Sequence, residues 1–199
     1  MADSSPKISE RISKWISNIF NPMNSLVVYF VLHSIYNLGL KEAFQNFLPI
    51  FFLIIAPISG WIFWKVKKEE FSDTDVSDRH QRKNLYFFIA GVIIIYLMYV
   101  FFRFQRTDWV LLFLLILLIV LQISNYFIKS SMHTALNVFV AALMFVIEPL
   151  FGLTWLVITI AVAVSRVVLK RHTWAEVVSG AVIATAISFI YLYFQIQLT

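Results

Sequence analysis

The stretch "SRVVLKRHTWAE", residues 165–176, sets the imidazole of His172 four residues before the carboxylate of Glu176. On a helix that spacing puts both side chains on one face, so the carboxylate accepts a hydrogen bond from one ring nitrogen. Such a bond fixes the tautomer and leaves the other nitrogen as an unprotonated nucleophile. Arg166 stands six residues before His172, at the end of a preceding apolar segment. Folded back, its guanidinium offers a bidentate partner for phosphate oxygens. In "IKSSMHTA", residues 128–135, Ser131 and His133 precede a helix whose N-terminal amides and dipole favour an anion. A hydroxyl and a second imidazole there suit holding a phosphate and protonating a leaving group.

Each feature alone has a plainer reading. A His–Glu pair four apart is commonly a surface contact worth about 0.2–0.5 kcal/mol. Ser131 to His133 can simply cap a helix. Arg166, Lys170 and Arg171 can anchor the end of a membrane span. Their combination is what points to a phosphate site, and it needs elements that bring them together.

Those elements are apolar. Of the 199 residues 60% are hydrophobic and 14% charged, against about 25% charged in an ordinary soluble domain. The mean hydropathy is +0.81. Without cysteine, disulfide and thiolate chemistry are excluded. A span needs about 20 apolar residues. Stretches 24–40, 44–64, 85–102, 109–127, 134–151, 153–169 and 175–194 qualify, the first being short. The expected fold is an all-α transmembrane bundle of six or seven spans, with Pro49 and Pro57 kinking the second. Residues 1–21 form a separate amphipathic segment, with Ile8, Ile12, Trp15, Ile16 and Ile19 at helical spacing among Lys7, Arg11 and Lys14. That segment either lies in the membrane interface or packs on the bundle. Residues 22–199 form a single membrane domain.

Seven spans fix a parity. The N-terminus, the 65–84 loop, "IKSSMH" and "RVVLKRHTW" then share one membrane face, which carries 13 of the 16 Lys and Arg residues. The positive-inside rule makes that face cytoplasmic. The net charge of +5 therefore points to lipid headgroups or a phosphorylated substrate rather than nucleic acid.

The motifs resemble those of the type-2 phosphatidic-acid phosphatase superfamily, which includes lipid phosphatases and the vanadium haloperoxidases. That family's third motif, Ser-Arg-x5-His-x3-Asp, is matched by Ser165, Arg166, His172 and Glu176, with Glu in place of Asp. Its second, Pro-Ser-Gly-His, is matched by Ser130, Ser131, Met132 and His133, with Met132 where glycine stands. Its first, Lys-x6-Arg-Pro, is matched loosely by Arg79 or Arg82, since Ser72 and Asp75 occupy the lysine positions. The resemblance covers about residues 72–194. It implies that His172 is the nucleophile of a phosphohistidine intermediate, Glu176 its orienting partner and His133 the general acid. Arg166, Ser131 and a first-motif arginine, Arg82 before Arg79, are implied to bind the phosphoryl oxygens, and Lys129 is a further candidate beside them. Neither metal nor cofactor is implied.

The expected activity is metal-independent hydrolysis of a phosphate or diphosphate on a lipid: phosphatidic acid, phosphatidylglycerophosphate or a polyprenyl diphosphate. The expected partners are that phosphorylated lipid and the bilayer. Haloperoxidase chemistry is disfavoured because those relatives are soluble. Two alternatives come from other classes: a non-catalytic relative binding phospholipid headgroups, and a small transporter hinted at by His33 and the Glu148–Pro149 break. The Asp73, Asp75, Asp78 trio suggests a metal, or more simply helix capping and pairing with Arg79 and Arg82. His80, between those arginines, is a candidate to support them.

Overall fold

A computed structural model describes residues 8–76 and 78–198, and every regular element among them is helical. Residues 1–7, with the Lys7 of the expected amphipathic segment, lie outside the described residues. The order is α1 (Ile8–Ile19), α2 (Pro22–Leu38), α3 (Leu40–Ile50), a π-helical turn (Phe51–Ile55), α4 (Ala56–Lys67), α5 (Arg79–Phe104), α6 (Trp109–Ser124), α7 (Met132–Ile147), α8 (Pro149–Val168) and α9 (Trp174–Leu198).

Among the described residues, four helical segments are long and apolar enough to cross a membrane: Leu40–Lys67, Arg79–Phe104, Pro149–Val168 and Trp174–Gln197. At most 33% of the apolar window of each is buried within the protein. The remainder exposes residues such as Ile95, Phe102, Val157 and Phe189, a surface that lipid rather than water would cover. These are the marks of an integral membrane protein. The other expected spans are shorter. α6 and α7 have 16 residues each and α2 has 17. At ~1.5 Å per residue, 16 residues extend only ~24 Å, less than the ~30 Å hydrocarbon core. The second expected span does carry an irregularity between its prolines, the π-helical turn lying between Pro49 and Pro57.

The chain gathers into two compact units. The first takes the chain through Tyr29 together with Ser130 onward. Its centre is α7, where Ala135, Phe139, Val140, Leu143 and Met144 are fully buried. Helices α8 and α9 pack on α7, and α1 packs on α8. The α7–α8 junction is Glu148, held extended (φ −157°, ψ 123°) as expected for a residue preceding proline. Pro149 then opens α8, where its missing N–H costs nothing. A Cβ on Gly152 would come within 2.6 Å of Phe145 Cβ, so only glycine allows the two helices this close.

Helix α1 is turned inside out relative to a helix packing in water. Ser13 and Ser17 are buried, whereas Ile8, Ile12, Trp15 and Ile19 are exposed along one stripe. It packs on α8 with its serine face and leaves the apolar stripe outward. Its C-terminal end is fixed by Asn137 of α7, a fully buried amide. Asn137 Nδ2 donates to the carbonyls of His133 (2.8 Å) and Phe20 (3.0 Å). Its Oδ1 accepts from Ser25 Oγ (2.9 Å) and Trp155 Nε1 (3.1 Å). Side-chain amides bind helices together in this way where apolar contact with lipid is no worse than contact with protein.

The second unit is Phe30–Lys129. Here α5 packs on α4 and α6, with Trp61 stacked on Phe88 at 4.2 Å and edge-on to Phe71 at 5.3 Å. Asp78 caps α5, its Oδ1 accepting from the amides of His80 (2.9 Å) and Gln81 (3.0 Å). The Gln81 bond is the main reason its carboxyl is held below the usual value. One member of the aspartate trio is thus a helix cap. Among the described residues, no cluster of His, Asp or Glu is placed to hold a metal ion.

Candidate active site

The segment from Arg166 to Glu176 is one helix stop followed directly by one helix start. α8 ends in a Schellman turn: Lys170 N–H bonds the Val167 carbonyl (2.9 Å) and Arg171 N–H bonds the Arg166 carbonyl (3.0 Å). Lys170 takes the left-handed conformation (φ 55°) that closes it. The His172 amide also reaches the Arg166 carbonyl, at 3.2 Å. The five residues between Arg166 and His172 are therefore the length of that turn. They return the chain so that the imidazole-bearing residue hangs on the arginine's own backbone.

Helix α9 starts on a reciprocal cap. Thr173 N–H donates to Glu176 Oε2 (3.1 Å), and Glu176 N–H donates to Thr173 Oγ1 (3.3 Å). The same carboxylate oxygen meets His172 Nδ1 at 3.0 Å. The expected contact is present, but its origin differs from the helical face predicted from spacing. His172 lies in the bend just before the cap residue, outside any helix. The cap, rather than a shared helical face, aims the carboxylate at the ring. His172's side chain is fully buried, and that of Glu176 is 19% exposed.

Ser131 caps α7, accepting from Thr134 N–H (3.4 Å) and Thr134 Oγ1 (3.1 Å). His133 follows within the first turn of α7 and is buried. Met132 begins α7 in ordinary helical conformation and is buried, so its backbone does not require glycine. This segment is bound to the start of α9 at three places. Ser131 N–H donates to the Glu176 carbonyl at 2.9 Å. Ser130 Oγ and Ser179 Oγ share a hydrogen bond of 2.7 Å. Gly180 lies so close that a Cβ there would stand 2.6 Å from the Ser131 carbonyl oxygen. Thus Ser131, His133, His172 and Glu176 are carried by two helix starts bonded backbone to backbone.

Arg166 is 1% exposed, and its Nη1 donates to Ser17 Oγ of α1 at 2.9 Å. Ser17 and Asn137 are parts of this region that motif reading misses. Asn137 leaves one trace in the sequence, a lone amide within an apolar helix, while Ser17 leaves none. A cleft of ≈ 530 Å3 also opens along α1, lined by Arg11, Lys14, Trp15, Asn18, Ile19 and Asn24, none of which the motifs single out.

Three expected site residues belong to the second unit. Arg82 is buried one turn before the buried Tyr86. Arg79 Nε donates to the Asn125 carbonyl at 2.6 Å, and Asn125 Nδ2 returns a bond to the Arg79 carbonyl at 3.4 Å. Lys129 is half-buried at the end of that unit.

The family comparison covers the C-terminal part of the first unit and the last eight residues of the second. A sequence model described as the PAP2 superfamily matches residues 122–199, from the end of α6 through α9. Over residues 122–199 the chain is thus similar to the type-2 phosphatidic-acid phosphatase superfamily. Phosphatase activity is general in that superfamily. No curated protein and no solved structure matched the chain.

Proposed function

We propose that the chain is a membrane phosphatase that removes a phosphoryl group from a phosphate or diphosphate ester of a lipid, through a phosphohistidine on His172. The observation that carries the reading is the bond from His172 Nδ1 to Glu176 Oε2, with the ring buried. With Nδ1 occupied as donor, Nε2 holds the lone pair that attacks phosphorus. As the Nε2–P bond forms and the P–O bond to the lipid breaks, His133 gives its proton to the leaving oxygen. His133 then takes a proton from water, whose oxygen attacks phosphorus, and inorganic phosphate leaves with His172 regenerated. Arg166 and Ser131 neutralise and orient the phosphoryl oxygens, the work that dominates phosphoryl transfer, and the family resemblance adds Arg82 or Arg79, with Lys129 a further candidate. No metal enters these steps.

Phosphatidic acid, phosphatidylglycerophosphate and polyprenyl diphosphates present this group at headgroup depth, where spans end. In this reading α2, α6 and α7 are short crossings that bring the total to seven, and the excess of Lys and Arg puts the site on the cytoplasmic face. Purified protein in detergent with excess chelator should release phosphate from phosphatidic acid or a polyprenyl diphosphate, and His172→Ala should abolish the release. Undiminished release by His172→Ala removes the mechanism.

A further inference from the structure

The N-terminal helix α1 lies outside the matched residues 122–199, yet it reaches the guanidinium that the family pattern assigns to phosphate. We infer that Ser17 is a positioning residue for Arg166, so that α1 is a working part of the phosphate site. This rests on the reading of Arg166 as a phosphoryl-binding residue.

Ser17 is 3% exposed and Arg166 1%, so the hydrogen bond between them is shielded from competing water. An arginine has many rotamers, and its planar fork binds phosphate well only when its orientation is set beforehand. The Ser17 hydroxyl sets it by accepting from Nη1. Ser17 itself does not depend on Arg166 for its place. One turn later the Phe20 carbonyl is held by Asn137 Nδ2, and the Phe20 ring meets Trp155 edge-on at 5.8 Å. The same Asn137 amide group holds the carbonyl of His133. One helix start and one arginine are thereby referred to a common support. The sequence of α1 agrees, since its buried positions are serines while its apolar residues face out.

The test compares Ser17→Thr with Ser17→Val, two side chains of similar shape that differ in a hydroxyl. Phosphate release from phosphatidic acid in mixed micelles gives KM and kcat. Inorganic vanadate, a mimic of the transferring phosphoryl group, gives an inhibition constant and, by thermal shift, a binding signal that needs no turnover. Ser17→Thr should stay within about twofold of wild type. Ser17→Val should raise KM and weaken vanadate about 5-fold or more, with kcat changed less and the melting midpoint retained. In an Arg166→Lys background the same pair should no longer differ. Threonine and valine variants that behave alike, or a valine defect that tracks a fall in melting temperature, would overturn the inference while leaving the phosphatase reading intact. A wild-type protein that neither releases phosphate nor binds vanadate defeats the reading of the site itself, and this inference falls with it.

Discussion

The backbone amide of Ser131 donates to the backbone carbonyl of Glu176 across 2.9 Å, joining two segments that the sequence separates by 45 residues. Because the bond is backbone to backbone, it fixes the start of α7 against the start of α9 whatever their side chains do. Side chains placed at those two starts inherit a fixed relation. Gly180 guards the approach, since a methyl group there would collide with the Ser131 carbonyl, a group with no freedom to move aside. Gly180→Ala is predicted to destabilise the protein by about 1–3 kcal/mol and to lower phosphate release at least 10-fold. Melting in detergent and an activity assay check both. Unchanged stability would show that the two segments are not in contact.

The reciprocal cap at Thr173 and Glu176 predicts a separation of roles. Thr173→Ala should cost about 1 kcal/mol of stability, since it removes the bond to Thr173 Oγ1 but keeps the Thr173 N–H that aims the carboxylate at His172. Glu176→Gln should leave stability within about 1 kcal/mol yet reduce kcat by about 100-fold or more, because an amide can offer Nδ1 the wrong partner. Glu176→Asp, the residue of the family motif, should keep most activity, a carboxylate at that position still serving both cap and ring. A Gln variant with wild-type kcat would show that the carboxylate does not set the tautomer.

Lys170 closes the Schellman turn in a conformation that costs a non-glycine residue about 1 kcal/mol. Lys170→Gly should therefore hold or raise the melting midpoint with activity retained. Lys170→Val should lower stability by about 1–2 kcal/mol and displace His172 with the turn. Equal behaviour of the two variants would contradict the turn.

Much of this was legible and some was not, for identifiable reasons. The helical, lipid-exposed character follows from apolar stretches, and the candidate site residues were chosen by residue type and spacing. The contact between His172 and Glu176 was expected, but from helical periodicity, which takes no account of a chain that stops one helix and starts another within five residues. The signal for the restart was present as Thr173 and Glu176 at capping-box spacing. The stop was legible too, since one apolar stretch ends at 169 and the next begins at 175, but not its left-handed turn, which carries lysine rather than glycine. Apolar runs also outlast their helices. Tyr126 and Phe127 continue the fourth stretch after α6 has ended at Ser124. The bond from Arg166 to Ser17 joins residues 149 apart and has no local signature.

Asp78 predicts a pH dependence of sign opposite to that of a buried acid. Its carboxyl is depressed in the folded protein, chiefly by the Gln81 amide, so the ionised form is the stabilising one. The contribution is complete above the unfolded carboxyl value of about 3.9 and is lost as pH falls through the lower folded value. Asp78→Asn keeps a capping oxygen without the charge and should flatten that acid limb. Asp78→Ala should lower stability by about 1 kcal/mol at neutral pH. Melting midpoints from pH 3 to 7, a window chosen to bracket about 3.9, check this. An Asn variant with an unaltered acid limb would contradict it.

The proposed mechanism turns on a covalent bond between phosphorus and His172, and trapping that bond tests it without inference from rates. Wild-type protein mixed with phosphate-labelled phosphatidic acid in chelator and quenched in alkali, where a phosphohistidine survives, should carry label on the peptide containing His172. The label should vanish on acid treatment and be absent from His172→Ala. Steady phosphate release with no label on the protein, or label that persists in the alanine variant, would contradict the account.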